Sequence, residues 1–348
     1  MDGLASGYRV SFDLGVRDVL LVYFFTTIGL NARVSDLKAG GRPLVILTAC
    51  VATFLLIQNV AGMAASSALG RSPGLGILAG SVSLLGGHGT AIAWAPVFSS
   101  QLGISNALEI GVLCATAGLV LSSVVGGPLA RLLIGRYGLV GGDRQTPAVG
   151  LHHDEPDRQI DYFSFLRAVL AIHICAFIGI LLQQGLADWG FRLPLFVPCL
   201  LTGIVLTNVM AAFPTTIRWP DHTAALSLIA ELSLGVFLGM SLMSMQLWSL
   251  ADLAGPIVLL LALQLALAVL FAVFVLFRAL GRTYDAAVIC AGFMGISLGA
   301  TPTAMANITA VTQRYGASHV AFLVVPLVGA FFLDLLNAIV IRFLLSML

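Results

Sequence analysis

Gly295-Ile296-Ser297-Leu298-Gly299-Ala300-Thr301-Pro302-Thr303-Ala304-Met305-Ala306-Asn307 lies inside one of the most apolar regions of the chain. It carries two glycines, a proline, three hydroxyls and an amide. Glycine frees the backbone and proline removes an amide donor. A continuous helix in lipid has no use for that mixture, because each unpaired backbone group there costs several kcal/mol. Irregular backbone is tolerated at membrane depth where protein buries it or where it lines a wet cavity. The stretch therefore reads as a re-entrant hairpin or broken helix that coordinates a solute. Gly80-Ser81-Val82-Ser83-Leu84-Leu85-Gly86-Gly87-His88-Gly89-Thr90 is a matching break earlier in the chain.

The surroundings fix the class. The 348 residues are 59% hydrophobic and 9% charged, with a mean hydropathy of +1.02. A soluble domain carries about 25% charge. The chain is read as an all-α polytopic membrane protein. Its 37 glycines suit close helix packing in lipid. A net charge of +1 argues against a nucleic-acid partner. Cys50, Cys114, Cys175, Cys199 and Cys290 all lie in apolar runs without a CxxC pair, and read as reduced packing residues. Residues 1–12 are polar and lack the basic and apolar regions of a signal peptide.

Spans of about 20 apolar residues can be marked in order. The first, 16–30, is short, and Arg33, Lys38 and Arg42 follow it. The second, 44–69, carries Gln58 and Asn59 internally. Ser72-Pro73-Gly74 opens the first broken segment, which runs to about residue 98. Ser105 is the expected N-cap of a helix to about residue 133, interrupted at Gly126-Gly127-Pro128. Residues 138–161 form the one extended polar segment, read as a solvated linker. His152-His153 followed by carboxylates is a metal-binding alternative within it. The second half runs 163–186, 194–212, 224–247, 256–280, the broken segment 285–315, and 318 to the end, with Arg192, Arg218 and Arg282 marking turns.

The halves overlay with an offset near 213. Phe24-Phe25-Thr26-Thr27-Ile28-Gly29-Leu30 meets Phe237-Leu238-Gly239-Met240-Ser241-Leu242-Met243, Ala79-Gly80 meets Ala291-Gly292, and Gly87 meets Gly299. Gln101-Leu102-Gly103-Ile104-Ser105 meets Arg314-Tyr315-Gly316-Ala317-Ser318. Colinear matches over a hundred residues read as duplication, the pattern of secondary transporters. The expected division is a first repeat at 1–137, a linker at 138–161 and a second repeat at 162–348. Spans 163–186 and 194–212 have no counterpart in the first half, so the chain reads as lacking two N-terminal helices. If each break enters and leaves on one face, the repeats are inverted. The basic residues then divide 12 to 5 in favour of the linker side. If both breaks cross fully the split is the same. The positive-inside rule thus makes the linker cytoplasmic and the N-terminus external in either case. Charge does not choose between re-entrant and spanning; backbone composition favours re-entrant.

Phe24 to Asn31, Gly80 to Thr90, Leu298 to Asn307 and Ala321-Phe322-Leu323-Val324-Val325-Pro326-Leu327-Val328-Gly329-Ala330-Phe331-Phe332 together resemble the bacterial sodium/glutamate symporters. The resemblance covers essentially the whole chain. It implies a multi-pass protein of the bacterial inner membrane that imports L-glutamate with Na⁺ by alternating access. It also implies inverted repeats and two re-entrant loops meeting near the midplane. No cofactor beyond the coupling ion is expected. A homodimer through scaffold helices is an expectation that no residue pattern derives.

Sodium wants oxygen ligands, which broken helices offer as carbonyls and hydroxyls. The expected sodium-binding residues are Ser81, Ser83, Ser297, Asn307, Asp334 and Asn337. An anionic amino acid wants donors, and half-helix N-termini after Gly87 and Gly299 present free amides and a positive dipole. The expected substrate-binding residues are Gly87, His88, Gly89, Thr90, Gly299, Ala300, Thr301 and Thr303. Arg314, just past the second break, is a further candidate. The competing reading is that Ser and Thr bond their own helix. His88 reads as a substrate or proton-coupling group or as a packing histidine, and Trp94 as a wall of the site or as packing. Thr26, Thr27 and Asn31 line a cavity or pack between helices. Asp334 is an acid inside a span, three residues before Asn337 on one helical face. Glu109 and Asp285 suit first helical turns.

Other functions remain as alternatives. These are a transporter of another small carboxylate, a Na⁺/H⁺ antiporter, a channel and, from another class, an intramembrane hydrolase. An aspartyl hydrolase needs paired carboxylates, and Asp334 has no acidic counterpart in the other repeat. A serine hydrolase needs a base aimed at its nucleophile, for which His88 is not evidently placed, and a zinc hydrolase needs several His or Cys ligands, whereas His88 is alone in its region. No enzyme activity and no transition-metal site are expected.

Overall fold

A computed structural model describes residues 15–141, 161–188, 193–212, 219–243 and 253–348. The N-terminal stretch, the centre of the linker with His152-His153, and the turns at Arg192 and Arg218 lie outside the described residues. All regular structure among the described residues is helical. Five helices are long and apolar enough to cross a membrane: Gly40–Ala68, Ala107–Tyr137, Tyr162–Asp188, Ala254–Ala279 and His319–Leu345. The chain is an all-helical polytopic membrane protein.

In chain order, α1 is Gly15–Leu30 and α2 is Val34–Ala68. A kink at Gly41, with φ of +53°, bends α2 just before Pro43. The first broken segment is α3, Pro73–Leu85, followed by α4, Gly87–Leu102. Ser72 opens α3 as the sequence predicts: its hydroxyl accepts from Gly74 N at 3.3 Å, and Pro73 fills the first turn where no donor is needed. Helix α5 is Ala107–Tyr137. It begins after Asn106, one residue later than the Ser105 cap predicts, and it runs unbroken through Gly126-Gly127-Pro128. The glycine there serves packing, because Gly126 lies against the Asn307 amide and has no room for a side chain. After the linker come α6 (Tyr162–Asp188), α7 (Phe196–Ala212), α8 (Ala224–Met243) and α9 (Ala254–Ala279). The second broken segment is α10, Tyr284–Leu298, and α11, Thr301–Tyr315. The chain closes with α12, His319–Leu345.

Both broken segments are helical hairpins. Tyr284 Oη donates to Gly316 O at 2.5 Å, Asn307 Nδ2 donates to Ala291 O at 3.2 Å, and Gly295 touches Ala304. The arms of α10–α11 therefore run side by side from the turn to the open end. In the first segment Gly74 touches Leu102, so its ends also meet. An arm of 13 to 16 residues is about 20–24 Å long, short of a hydrocarbon core of about 30 Å.

Helix α5 is the ruler on which both hairpins are laid out. The first leads into its start through residues 103–106. Gly111 then faces Ser83 and Ala91, Gly118 faces Leu298, and Ser122 faces Gly299. Gly126 faces Asn307, and Gly141, beyond the end of α5, faces Tyr284 and Gly316. The hairpins thus open toward opposite ends of α5, and their turns meet part-way along it.

Helices α2, α9 and α12 pack with the hairpins, and α1, α6, α7 and α8 form a second group. Helix α1 packs on α6, α7 and α8 rather than on its neighbours in sequence. Gly29 and Gly203 let α1 and α7 touch backbone to backbone. Polar bonds bolt the lower end of α1: Thr207 Oγ1 to Leu30 O at 3.0 Å, Asn208 Nδ2 to Ala32 O at 2.9 Å, His222 N to Asn31 Oδ1 at 2.9 Å, and an Arg33–Asp221 ion pair. Thr26 and Thr27 bond the carbonyls of Val22 and Phe24 in their own helix. Of the two readings of Thr26, Thr27 and Asn31, packing is the one these bonds satisfy.

Candidate functional site

The two turns are built from opposite departures from helix. Gly86-Gly87 turns the first hairpin, with Gly87 at φ of +67°, a region that L side chains avoid. Gly299, at φ of −147° and ψ of −104°, and Ala300, in extended backbone, turn the second. A methyl group on Gly87 would lie 3.3 Å from Gly299 O. The breaks that the sequence aligns with each other are in contact. Each turn also starts a helix, so α4 and α11 present their unpaired N-terminal amides toward one region.

The substrate candidates divide. Gly87 and Gly299 face each other. Thr301 and Thr303 are half-buried at the start of α11, and their hydroxyls have no hydrogen-bond partner among the described residues. Thr301 rests on Gly329, where α12 loosens into a π-helical turn at Gly329–Leu333. Thr90 is buried with its hydroxyl unpaired. A methyl group on Gly89 would lie 3.3 Å from the Phe25 ring, so its role is close approach to α1. His88 Nε2 lies 2.9 Å from Thr116 Oγ1 on α5, and Thr116 donates its own hydrogen to Val112 O at 2.8 Å. The hydroxyl proton is spent there, so His88 Nε2 carries the hydrogen of this contact. Trp94 is fully buried, as in the packing reading, with its indole nitrogen unpaired.

The sodium candidates divide too. Ser81 Oγ donates to Asn59 Oδ1 at 2.9 Å, and Ser81 O accepts from Asn337 Nδ2 at 3.0 Å. Ser297 O accepts from Gln58 Nε2 at 3.3 Å. These three candidates join one buried network with α2 and α9. Ser83 stands apart: its hydroxyl donates back to Leu78 O at 2.5 Å and it faces α5. Asn307 is a clamp, with Nδ2 donating to Ser122 O at 3.1 Å and Ala291 O at 3.2 Å. Asp334 is half-buried at the end of the π turn, without a hydrogen bond or ion pair among the described residues. Arg314 lines a cavity of about 500 Å³ between α5 and α11, together with Arg131, Gly127 and Pro128.

Two residues escaped assignment from sequence. Gln58 and Gln264 are completely buried in α2 and α9, and Gln264 Nε2 donates to Gln58 O at 3.0 Å. Their signal was an amide inside an apolar span, which faces the protein interior by default.

A family model described as "Sodium/glutamate symporter" matches residues 4–317. The chain belongs to the sodium/glutamate symporter family. It is 43% identical over 338 residues to the sodium/glutamate symporter of Escherichia coli (strain K12), covering 97% of this chain and 84% of that protein. It is 42% identical over 341 residues to the sodium/glutamate symporter of Haemophilus influenzae (strain ATCC 51907 / DSM 11121 / KW20 / Rd), covering 97% and 83%. The symporter family is one of transporters, which sets the hydrolase reading aside. Among the described residues no group of three or more His, Cys, Asp or Glu side chains is arranged to hold a metal ion.

Proposed function

We propose that this chain imports L-glutamate across the bacterial inner membrane with Na⁺, by alternating access. The observation that carries the reading is the contact of Gly87 with Gly299, which brings two helix N-termini to one place. Sequence-related symporters give the ion and the substrate. In this reading both hairpins are re-entrant: their arms are too short to cross, and their ends meet. They open toward opposite ends of α5, which supports inverted repeats at 1–137 and 162–348 around a cytoplasmic linker at 138–161. The Arg131–Arg314 cavity lies toward the end of α5 from which the linker continues, and serves as the inner vestibule. Helix α6, the least buried of the five spans, offers a surface for a second copy.

Backbone amides of α4 and α11, with the hydroxyls of Thr90, Thr301 and Thr303, bind the substrate carboxylates and amine. Sodium sits among Ser81, Ser297, Asn337 and Asp334, while the Ser83 hydroxyl and the Asn307 amide, spent on backbone carbonyls, hold the hairpins outside the ion site. Ordering of the turns by Na⁺ raises glutamate affinity, and glutamate raises Na⁺ affinity by the same factor.

Labelled L-glutamate uptake into proteoliposomes tests this. An inward Na⁺ gradient should drive accumulation and a K⁺ gradient should not. Thr301→Val removes one hydroxyl and should raise the glutamate KM about tenfold, the worth of one hydrogen bond of roughly 1.4 kcal/mol. Uptake indifferent to Na⁺ would sink the symport reading.

A further inference from the structure

The cavity of about 500 Å³ between α5 and α11 is within the range of small-ligand sites, about 300–1,000 Å³. Its charged lining is two arginines, Arg131 of α5 and Arg314 of α11, with no acidic side chain among the described residues. Both arginines are exposed, and neither joins an ion pair or hydrogen bond among the described residues. Arg314 lies over the Tyr315 ring at 5.6 Å, a contact that spends none of its N–H donors. Asp285, which starts α10 at this end, accepts from Ser318 Oγ at 2.6 Å.

The space in front of the arginines is kept open. Gly127 and Gly135 line it from within α5, where glycine is less stable than alanine. Gly118 and Gly126 of the same helix are explained by close packing on Leu298 and Asn307, but nothing lies within 4 Å of a methyl group built on Gly127 or Gly135. Depth adds a second constraint. The 31 residues of α5 span about 46 Å, close to the thickness of a bilayer with its headgroups, about 40–45 Å. Arg131 lies six residues before the end of α5, about 9 Å in, close to the boundary of headgroups and hydrocarbon. Leading away from it toward the middle of the span, Leu132, Pro128, Val124 and Val120 form one exposed apolar row at four-residue spacing.

We infer that this cavity binds the phosphate of an anionic phospholipid between Arg131 and Arg314, with an acyl chain along the row from Leu132 to Val120. The planar guanidinium fork matches phosphate oxygens two at a time, and basic pockets between membrane helices suit anionic headgroups. A soluble phosphate would satisfy the charges and leave the apolar row unused. The site does not depend on the symport reading. On that reading it has a use, because two bare guanidiniums in the inner vestibule would retain a dicarboxylate on its way out, and a resident phosphate neutralises them.

The test is thermal melting of the purified full chain in detergent, in Na⁺-free buffer. The additives are phosphatidylglycerol, phosphatidylcholine, whose choline cancels the phosphate charge, and glycerol phosphate as the soluble anion. Phosphatidylglycerol should raise Tm saturably, and the other two at equal concentration should not. Arg131→Gln combined with Arg314→Gln should raise the half-saturating phosphatidylglycerol concentration about tenfold or more. Arg136→Gln removes a charge at the same end of α5 outside the cavity and should leave it within about twofold. Gly135→Leu fills the space without touching a charge. It should weaken the response as the arginine pair does, while the lipid-free Tm is kept or raised. Equal losses in the Arg136 variant and the double variant would mean diffuse surface charge and overturn the site. So would an undiminished response in Gly135→Leu, or an equal response of the native chain to phosphatidylcholine. A response to glycerol phosphate as large as that to the lipid would make this a soluble-phosphate site and overturn the lipid assignment. A Tm rise with L-glutamate that vanishes in the double variant would give the cavity to the substrate instead.

Discussion

Gly87 and Gly103 have nearly the same backbone, at φ of +67° and +65°, but different surroundings. Nothing lies within 4 Å of a methyl group built on Gly103, whereas one on Gly87 meets the other hairpin. Gly103→Ala should therefore cost only the strain of the left-handed conformation, about 1–2 kcal/mol, read as a lower Tm with unchanged glutamate KM. Gly87→Ala adds crowding at the turn and should abolish most uptake while the protein still reaches the membrane. Uptake equal in the two variants would remove the turn contact from the mechanism. The same scale shows where sequence reasoning stopped. Ser81 and Ser83 looked equivalent as oxygen donors, yet positions two apart on a helix face different ways. Ser81 meets α2 and Ser83 bonds its own backbone. Gln264 was overlooked because its span has the highest mean hydropathy of the five, so one amide hardly disturbs the pattern.

At the scale of elements, the breaks were legible because glycine, proline and hydroxyl residues have no business together inside a lipid-facing helix. Their hairpin form was legible only as a preference, since re-entrant and spanning arrangements split the basic residues identically. The re-entrant reading we propose is supported by a pair of end-to-end contacts, Tyr284 with Gly316 and Gly74 with Leu102, between residues too far apart in sequence for any local pattern to link. Gly126-Gly127-Pro128 misled in the other direction. Those residues read as an interruption, but α5 continues through them and uses Gly126 to admit the Asn307 amide. Asn307 holds α11 to both α5 and α10 through carbonyls, so Asn307→Ala should lower stability by about 1–2 kcal/mol. The loss in Tm should be the same with and without Na⁺. A loss confined to Na⁺-containing buffer would return Asn307 to the ion site.

At the scale of the molecule, the colinear matches read as duplication, but they say nothing of how the two halves of the chain interlock. The first half's α2 holds the second hairpin through Gln58, and its α5 holds it through Ser122. The second half's α12 holds the first hairpin through Asn337. These bonds join residues 185 to 256 positions apart. Gln58 in the first half and Gln264 and Asn337 in the second find their carbonyl partners only in the other half, so the halves should fold only together. Dividing the chain within the linker, between residues 141 and 161, and co-expressing the pieces should restore Na⁺-driven uptake. Each piece alone should be degraded or aggregate, as followed by membrane fractionation and uptake. A single piece that remains monodisperse and melts cooperatively would contradict the interlock.

The Asn337–Ser81 bond also sets an order on biosynthesis. Ser81 leaves the ribosome 256 residues before its partner. At about 5–20 residues per second that is roughly 13–50 s of translation. During this interval the Ser81 carbonyl of the first hairpin has no Asn337 amide to serve it. Helix α12 is therefore the closing piece of the first hairpin, and the nascent chain must shelter that hairpin, by water, lipid headgroups or the insertion machinery, until α12 arrives.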